Sequence, residues 1–288
     1  MTIQKLPNTR PQGKVVVLIS WDGKSQPLFC AHIDCLPNFD LILFDYSGKS
    51  KSKEVKVIQQ GAYTINAEVV SECTECKGDI FQALGKHFIN AKELPEYIGV
   101  LDDDIVIAVS DINRAIHCAK VKNLDVFSPT LTHDSEFSHR WMLQQPHILV
   151  REVDWVEVMM PFYRGDLLMV AAPFFTGFST SWGFDKFLFP MLQKLTGATR
   201  CGLIDAVAGS HFRPVTSQTK TYKNGLTASQ EMAEMKKICI DFLHKNHADL
   251  TKTKWFDRLF IQKNVYTRTQ KNIYRIGRPI KQWLARST

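Results

Sequence analysis

Tyr97-Ile98-Gly99-Val100-Leu101-Asp102-Asp103-Asp104-Ile105-Val106-Ile107 carries a short apolar run into three consecutive carboxylates and out into a second apolar run. Runs of this length and β-branched character read as buried strands of an α/β sheet. Three acids at the end of a buried strand need a counter-charge, because desolvating an unpaired carboxylate is expensive. Hard oxygen ligands favour Mg²⁺ or Mn²⁺ over softer metals, which makes Asp102 and Asp104 candidate metal ligands. A solvated acidic turn between two strands is the alternative.

Working outward from that run, Lys14–Ser20 and Phe39–Phe44 read as two further buried strands, and Val55–Ile58 as a short third one after the lysine-rich loop Lys49–Lys56. Gly78–His87 and Asp111–Lys122 carry apolar residues at helical spacing. Ser128-Pro129 reads as a break, Thr130–Arg140 as a loop and Val153–Pro161 as a strand that contains Glu157. Trp182-Gly183-Phe184-Asp185 precedes an apolar helix, Cys201–Val207 returns to strand and ends near Ser210-His211, and Thr227 has capping-box spacing for a helix to about His244. Strands alternating with helices, and polar groups gathered at strand ends, predict an α/β protein with a mostly parallel central sheet, flanking helices and a site at the carboxyl edge.

Composition sets the outer limits. With 44% hydrophobic and 23% charged residues the chain is ordinary for a soluble globular protein. Seven cysteines without a disulfide-like spacing imply a reducing compartment, and the lone Cys73-x-x-Cys76 lacks the second pair of a zinc ribbon. Met1–Lys14 lacks the apolar core of a signal peptide and no window approaches a membrane span, so a cytoplasmic protein is expected. The net charge of +7 is unevenly placed. From Thr251 onward there are ten basic residues and one acid, Asp257, so the tail carries +9 and the first 250 residues −2. Residues 1–250 read as one catalytic domain and 251–288 as a basic, aromatic tail.

The acidic triplet, Glu157, Asp185 and His211 find one explanation in transfer of a sugar from a nucleotide-sugar. A divalent ion would bridge the donor's phosphates and neutralise the leaving diphosphate, with His211 completing its shell. A separate carboxylate would deprotonate the acceptor hydroxyl in an inverting reaction, and Asp185, ahead of a helix, suits that role. Glu157 is the second candidate; pairing with a basic side chain is its alternative. Lys77 could reach a phosphate, or be a solvated lysine. Asp103 belongs to the same acidic turn, and Ser20 with Trp21 could line the pocket.

These segments resemble the glycosyltransferase family of GT-A type. More closely, Val156-Glu157-Val158-Met159-Met160-Pro161, Trp182-Gly183-Phe184-Asp185 and Gly202-Leu203-Ile204-Asp205 through His211 are similar to a plant glycosyltransferase-like family with "VEVMAP", "GWGLD" and "GVVD…H" in that order. The likeness spans roughly 39–215. It implies a Rossmann-like nucleotide-sugar site, a metal held by the Asp triplet and His211, Asp185 at the position of the base, and Asp45 against the nucleotide base or ribose. Where that family reads Trp-Asp-Glu-Asp this chain has Leu101-Asp102-Asp103-Asp104, and Phe178-Ser179-Thr180-Ser181 replaces its Asn-Asp. The acceptor therefore does not carry over.

Two other readings stand. Asp102-x-Asp104-x-Val106 matches the nucleophile motif of haloacid-dehalogenase-type phosphatases, although that motif usually opens its domain and no later acidic pair follows. The tail, with Trp255, Phe256, Leu259 and Phe260 on a helical stripe among cations, could lie on an anionic membrane near a lipid-linked glycan acceptor, or pack on the domain. Nucleic acid is a less suitable partner, since a binding module has no need of a strand-end Asp triplet.

Overall fold

A computed structural model describes residues 3–27, 31–214 and 219–261, and the backbone of 273–275. Its strands are β1 (Val16–Trp21), β2 (Ala31–His32), β3 (Asp40–Asp45), β4 (Val55–Gln60), β5 (Tyr63–Ser71), β6 (Tyr97–Leu101), β7 (Ile105–Ala108), β8 (Val126–Leu131), β9 (Ile148–Glu152), β10 (Phe162–Arg164), β11 (Cys201–His211) and β12 (Ile273–Arg275). The principal helices are α1 (Lys77–Phe88), α2 (Val109–Val121), α3 (Gly165–Ala171), α4 (Phe189–Thr196) and α5 (Ala228–Asn246).

The sheet runs β4-β5-β3-β1-β6-β10-β8-β11-β9-β12. Strands β5, β3, β1, β6, β8 and β11 share one direction, and β10 lies antiparallel between β6 and β8. The α/β architecture, with most central strands running one way and helices at the flanks, is the expected one. The chain winds outward from β1 through β3 to β5, then returns to the other side of β1 as β6. That reversal opens a crevice at the carboxyl ends of β1 and β6, where α/β sheets hold ligands.

Strand β6 is buried along its whole length, which is why its sequence is continuously apolar. Gly99 is required there: a Cβ would stand 2.4 Å from the Phe162 ring of β10. After β6 the chain turns through Asp102–Asp104 and re-enters as β7. This short strand pairs with the far end of β11, His211 opposite Ile105. The register alone brings His211 beside Asp104.

Several expectations are corrected. Val153–Pro161 is not a strand. It links β9 to β10, which run the same way in different parts of the sheet, so the chain must be carried back along the sheet without pairing. Pro129 does not break the chain but lies within β8. It pairs with Ile204, where the β11 ladder shifts register before Ala208, a position that tolerates proline. Helix α3 was not expected, nor was strand β5, although its Ile65, Ala67 and Val69 alternate with Asn66 and Glu68 and are buried. The capping box at Thr227 is present and α5 extends to Asn246.

Helices α1 and α4 pack on the sheet through Phe81, Tyr163, Phe175, Phe184 and Phe189. Tyr163 stacks on Phe189 at 3.9 Å, and Phe81 meets Phe184 edge-on at 5.7 Å. In the first part of the tail, Phe256 and Phe260 are buried, with Phe260 against Phe187 at 5.9 Å. These aromatics pack on the domain. Residues 262–272 and 276–288 lie outside the description, as do the side chains of 273–275. No helix among the described residues is long and apolar enough to cross a membrane.

Candidate active site

A cleft of about 1210 Å³ opens over the carboxyl edge. Lys77, Asp102, Asp104, Glu157, Asp185 and His211 all line it. They come from β6, the β9–β10 link, the ends of α1 and β11, and the turn before α4, and the topology alone assembles them.

Asp102 begins the acidic turn. Its backbone N–H donates to Met159 O and its carbonyl accepts from Ile105. Lys77, the first residue of α1, is buried rather than solvated. Its ammonium donates to Val100 O at 3.2 Å and Met159 O at 2.8 Å, and pairs with Asp102 Oδ1 at 2.8 Å. Those acceptors match its three N–H groups, which leaves none for a phosphate. The counter-charge that the sequence requires at this strand end is therefore supplied, for Asp102, by the protein itself. Burial still raises the Asp102 carboxyl to about 6, against the pull of Lys77.

Asp103 turns to the other side, accepting from Tyr46 Oη at 3.0 Å and from Arg213 at 3.0 Å. Ser20 donates to Leu101 O at 3.3 Å. Asp45 is fully buried and accepts from the backbone of Ser47, Lys49 and Ser50 and from the Ser71 hydroxyl. These donors outweigh desolvation and hold its carboxyl well below the usual range. Asp45 therefore anchors the turn after β3, with both of its oxygens accepting hydrogen bonds from the protein.

Asp104 and His211 form the most informative pair. His211 Nδ1 lies 2.8 Å from Glu136 O, and a carbonyl only accepts, so Nδ1 carries the proton. Nε2 then faces Asp104 Oδ2 at 3.3 Å. Two lone-pair atoms at that distance need a proton or a cation between them. The other oxygen, Asp104 Oδ1, is buried with no hydrogen-bond partner among the described residues. Burial works against a charged His211, yet the contacts with Asp104 and Glu136 O outweigh it and raise its pKa. Burial likewise opposes the Asp104 charge, and His211 overcomes that to keep its pKa low. No cluster of three metal-ligating side chains occurs among the described residues. One carboxylate oxygen and one imidazole nitrogen could give a divalent ion two ligands, the rest coming from phosphate and water.

Glu157 and Asp185 lie in a different electrostatic setting. Glu157 is 6% exposed, and its Oε2 is buried without a hydrogen-bond partner among the described residues. Burial first, then the neighbouring Asp185 charge, pushes its pKa to about 7. Asp185 is 5% exposed and rises to about 6 through burial, although Lys186 and its backbone N–H pull the other way. Gly183 and buried Phe184 lead into it. Gly183 has φ +92°, and a Cβ there would crowd α5 at Met232 and Met235.

The loop that presents Asp185 rests on a residue the sequence reading passed over. Glu231, fully buried in the first turn of α5, accepts from the backbone N–H of Ser179 (2.9 Å) and Thr180 (2.7 Å), from Thr180 Oγ1 (2.6 Å) and from the Asn224 amide. Its place just after the capping box was the only available signal. Arg151 and Asp205, also buried, form a bidentate ion pair below the cleft.

No protein-family model matches the chain, and no curated protein matches it in sequence. Among solved structures it is similar to residues 1–349 of S. aureus TarS in complex with UDP-GlcNAc. The TM-score is 0.44 at 11% identity, over 80% of this chain and 66% of that one. The same fragment with UDP gives a TM-score of 0.40 at 13% identity, over 87% and 76%. A197 from STIV gives 0.38 at 15% identity, over 69% and 86%. This chain thus spans just under two thirds of the first of these structures. At such scores the likeness carries no argument about the site.

Proposed function

We propose that the chain is a nucleotide-sugar-dependent glycosyltransferase of GT-A type acting on a glycan or lipid-linked glycan. The observation that supports this best is the meeting, at a topological switch point, of an Asp104–His211 pair suited to a divalent ion with two buried carboxylates that hold protons unusually well.

In this reading Asp104 and His211 Nε2 would hold Mn²⁺ or Mg²⁺. The ion, when bound, offsets the charge that builds on the leaving group. Lys77 keeps Asp102 and the end of β6 in place. Asp185 is the general base. The acceptor oxygen bonds to the anomeric carbon as the carbon–oxygen bond to the diphosphate breaks. The acceptor proton passes to Asp185, and the nucleoside diphosphate leaves with the electron pair, so the anomeric centre inverts. Glu157, protonated over much of the neutral range, can donate a hydrogen bond to a substrate oxygen beside the base. The phosphatase alternative gains nothing from the geometry, since Asp102, its attacking carboxylate, is held by Lys77.

A thermal-shift panel of UDP, GDP, ADP, CDP, TDP and CMP, each with Mn²⁺ or with EDTA, tests the reading. A ligand that binds only the folded state raises the melting temperature by mass action. At least one diphosphate should do so, and more with Mn²⁺. If no nucleotide stabilises the protein in either condition, the proposal fails.

A further inference from the structure

Beyond Glu157 and Asp185 the cleft has an aromatic wall. It is formed by the segment between β8 and β9, whose His139 and Trp141 both line the cleft. Their rings are nearly parallel, 5.6 Å between centroids and 10° between planes. Trp155 meets them edge-on, His139 at 5.1 Å and 89° and Trp141 at 4.8 Å and 85°. Lys186, the residue after Asp185, sets its ammonium over the Trp155 ring at 5.9 Å. The wall therefore abuts the proposed base.

The buried ion pair holds this wall from beneath. Arg151 Nε and Nη2 donate to Asp205 at 2.6 Å and 2.9 Å, while Nη1 donates to Trp141 O at 3.0 Å and Nη2 to Leu143 O at 3.1 Å. Asp205 Oδ1 accepts from Gln145 N at 2.7 Å, and the Gln144 amide donates to the Asp205 carbonyl at 2.8 Å. A buried pair of this kind adds little net stability over an apolar substitute. What it does here is fix the backbone of 141–145, and with it the Trp141 ring. Sheet order separates the wall from the donor crevice: the crevice lies at β1 and β6, the wall over β8, β11 and β9.

We propose that His139 and Trp141, packed edge-on against Trp155, form the acceptor subsite, and that its occupant is a pyranose ring of a glycan. The inference rests on the glycosyltransferase reading above. An aromatic face is electron-rich and attracts the polarised C–H groups on one side of a pyranose. The sugar hydroxyls then point to the polar groups that share the rim, Arg140 and Gln145, and one of them to Asp185. A largely apolar wall with a few convergent polar groups is the usual composition of a small-molecule site.

Saturation-transfer NMR on the full chain tests this. The probes are the methyl glycosides of glucose, galactose, mannose and N-acetylglucosamine, with maltotriose and chitotriose, and benzyl alcohol as an apolar control. At least one saccharide should receive saturation on the C–H groups of one ring face. Trp141→Ala and His139→Ala should each weaken its binding about ten-fold, while the nucleotide thermal shift is retained. Trp141→Phe, which keeps a ring, should recover part of the loss. Should Trp141→Ala fail to fold, as a missing nucleotide shift would show, His139→Ala and Trp141→Phe decide the matter. A nucleotide response without any saccharide binding overturns the subsite and leaves the proposed function standing. Saccharide binding unaffected by the substitutions, or benzyl alcohol binding alone, also overturns it. Absence of both nucleotide and saccharide binding removes the glycosyltransferase reading itself.

Discussion

One cleft holds carboxylates in opposite conditions. On the β6 side, Asp104 faces His211, with Arg213 nearby, and its pKa is lowered, while Asp102 beside it is raised to about 6 by burial despite Lys77. On the far side, burial raises Glu157 to about 7, with the Asp185 charge adding to it, and raises Asp185 to about 6. The partners differ, and so does burial: Asp104 is half-buried, whereas Glu157 and Asp185 are buried. In the proposed reading the first side would hold a cation, and the second would hold and release a proton. Separation of this kind marks the difference between binding and acid–base roles in a site.

The largest expected effect tests the proton side. Asp185→Asn cannot accept a proton, and turnover should fall roughly a hundred-fold or more with nucleotide affinity nearly unchanged. In the wild type, turnover should rise with pH through about 6, as Asp185 loses its proton. A mutant with normal turnover would move the base to Glu157 and blur the contrast.

Glu231→Ala tests whether the position of Asp185 depends on the loop beneath it. The substitution leaves the N–H groups of Ser179 and Thr180 without their buried acceptor. A loss of about 2 kcal/mol or more in urea unfolding is expected. Unchanged stability would show that the loop is held by other contacts.

The smallest effect concerns pH and stability. Because the folded-state pKa of Glu157 lies above its unfolded value, the folded protein binds the extra proton, and stability contributed at low pH is lost as pH rises from about 4.5 to about 7. Glu157→Gln removes that cost. It should raise the melting temperature more at pH 8 than at pH 5, a comparison that scanning calorimetry makes directly. An equal shift at both pH values would mean that Glu157 is not held in its protonated form.

How much of this could be read from residues alone follows the range of the interactions. The strand that delivers Asp102–Asp104 was legible because burial on both faces leaves an unbroken apolar run. The cap at Thr227 was legible because its partners are three residues apart. Val153–Pro161 misled because a buried link is as apolar as a buried strand, and periodicity cannot separate the two. Lys77 looked like a solvated lysine because its acceptors, Val100 and Met159, lie far along the chain. Asp45 looked like a ligand contact, but its donors come from its own turn and from Ser71. Arg151 with Asp205, and Glu231 with Ser179 and Thr180, join residues more than fifty positions apart and leave no local trace.

The central claim is that the Asp104–His211 side binds a nucleotide through a divalent ion. Calorimetric titration of the nucleotide that gives the largest thermal shift, into wild type and Asp104→Asn, with Mn²⁺ and with EDTA, tests it most directly. Wild type should bind about ten-fold or more tightly with Mn²⁺ than with EDTA, and Asp104→Asn, still folded, should lose that difference. Equal affinity with and without metal in the wild type would contradict the account.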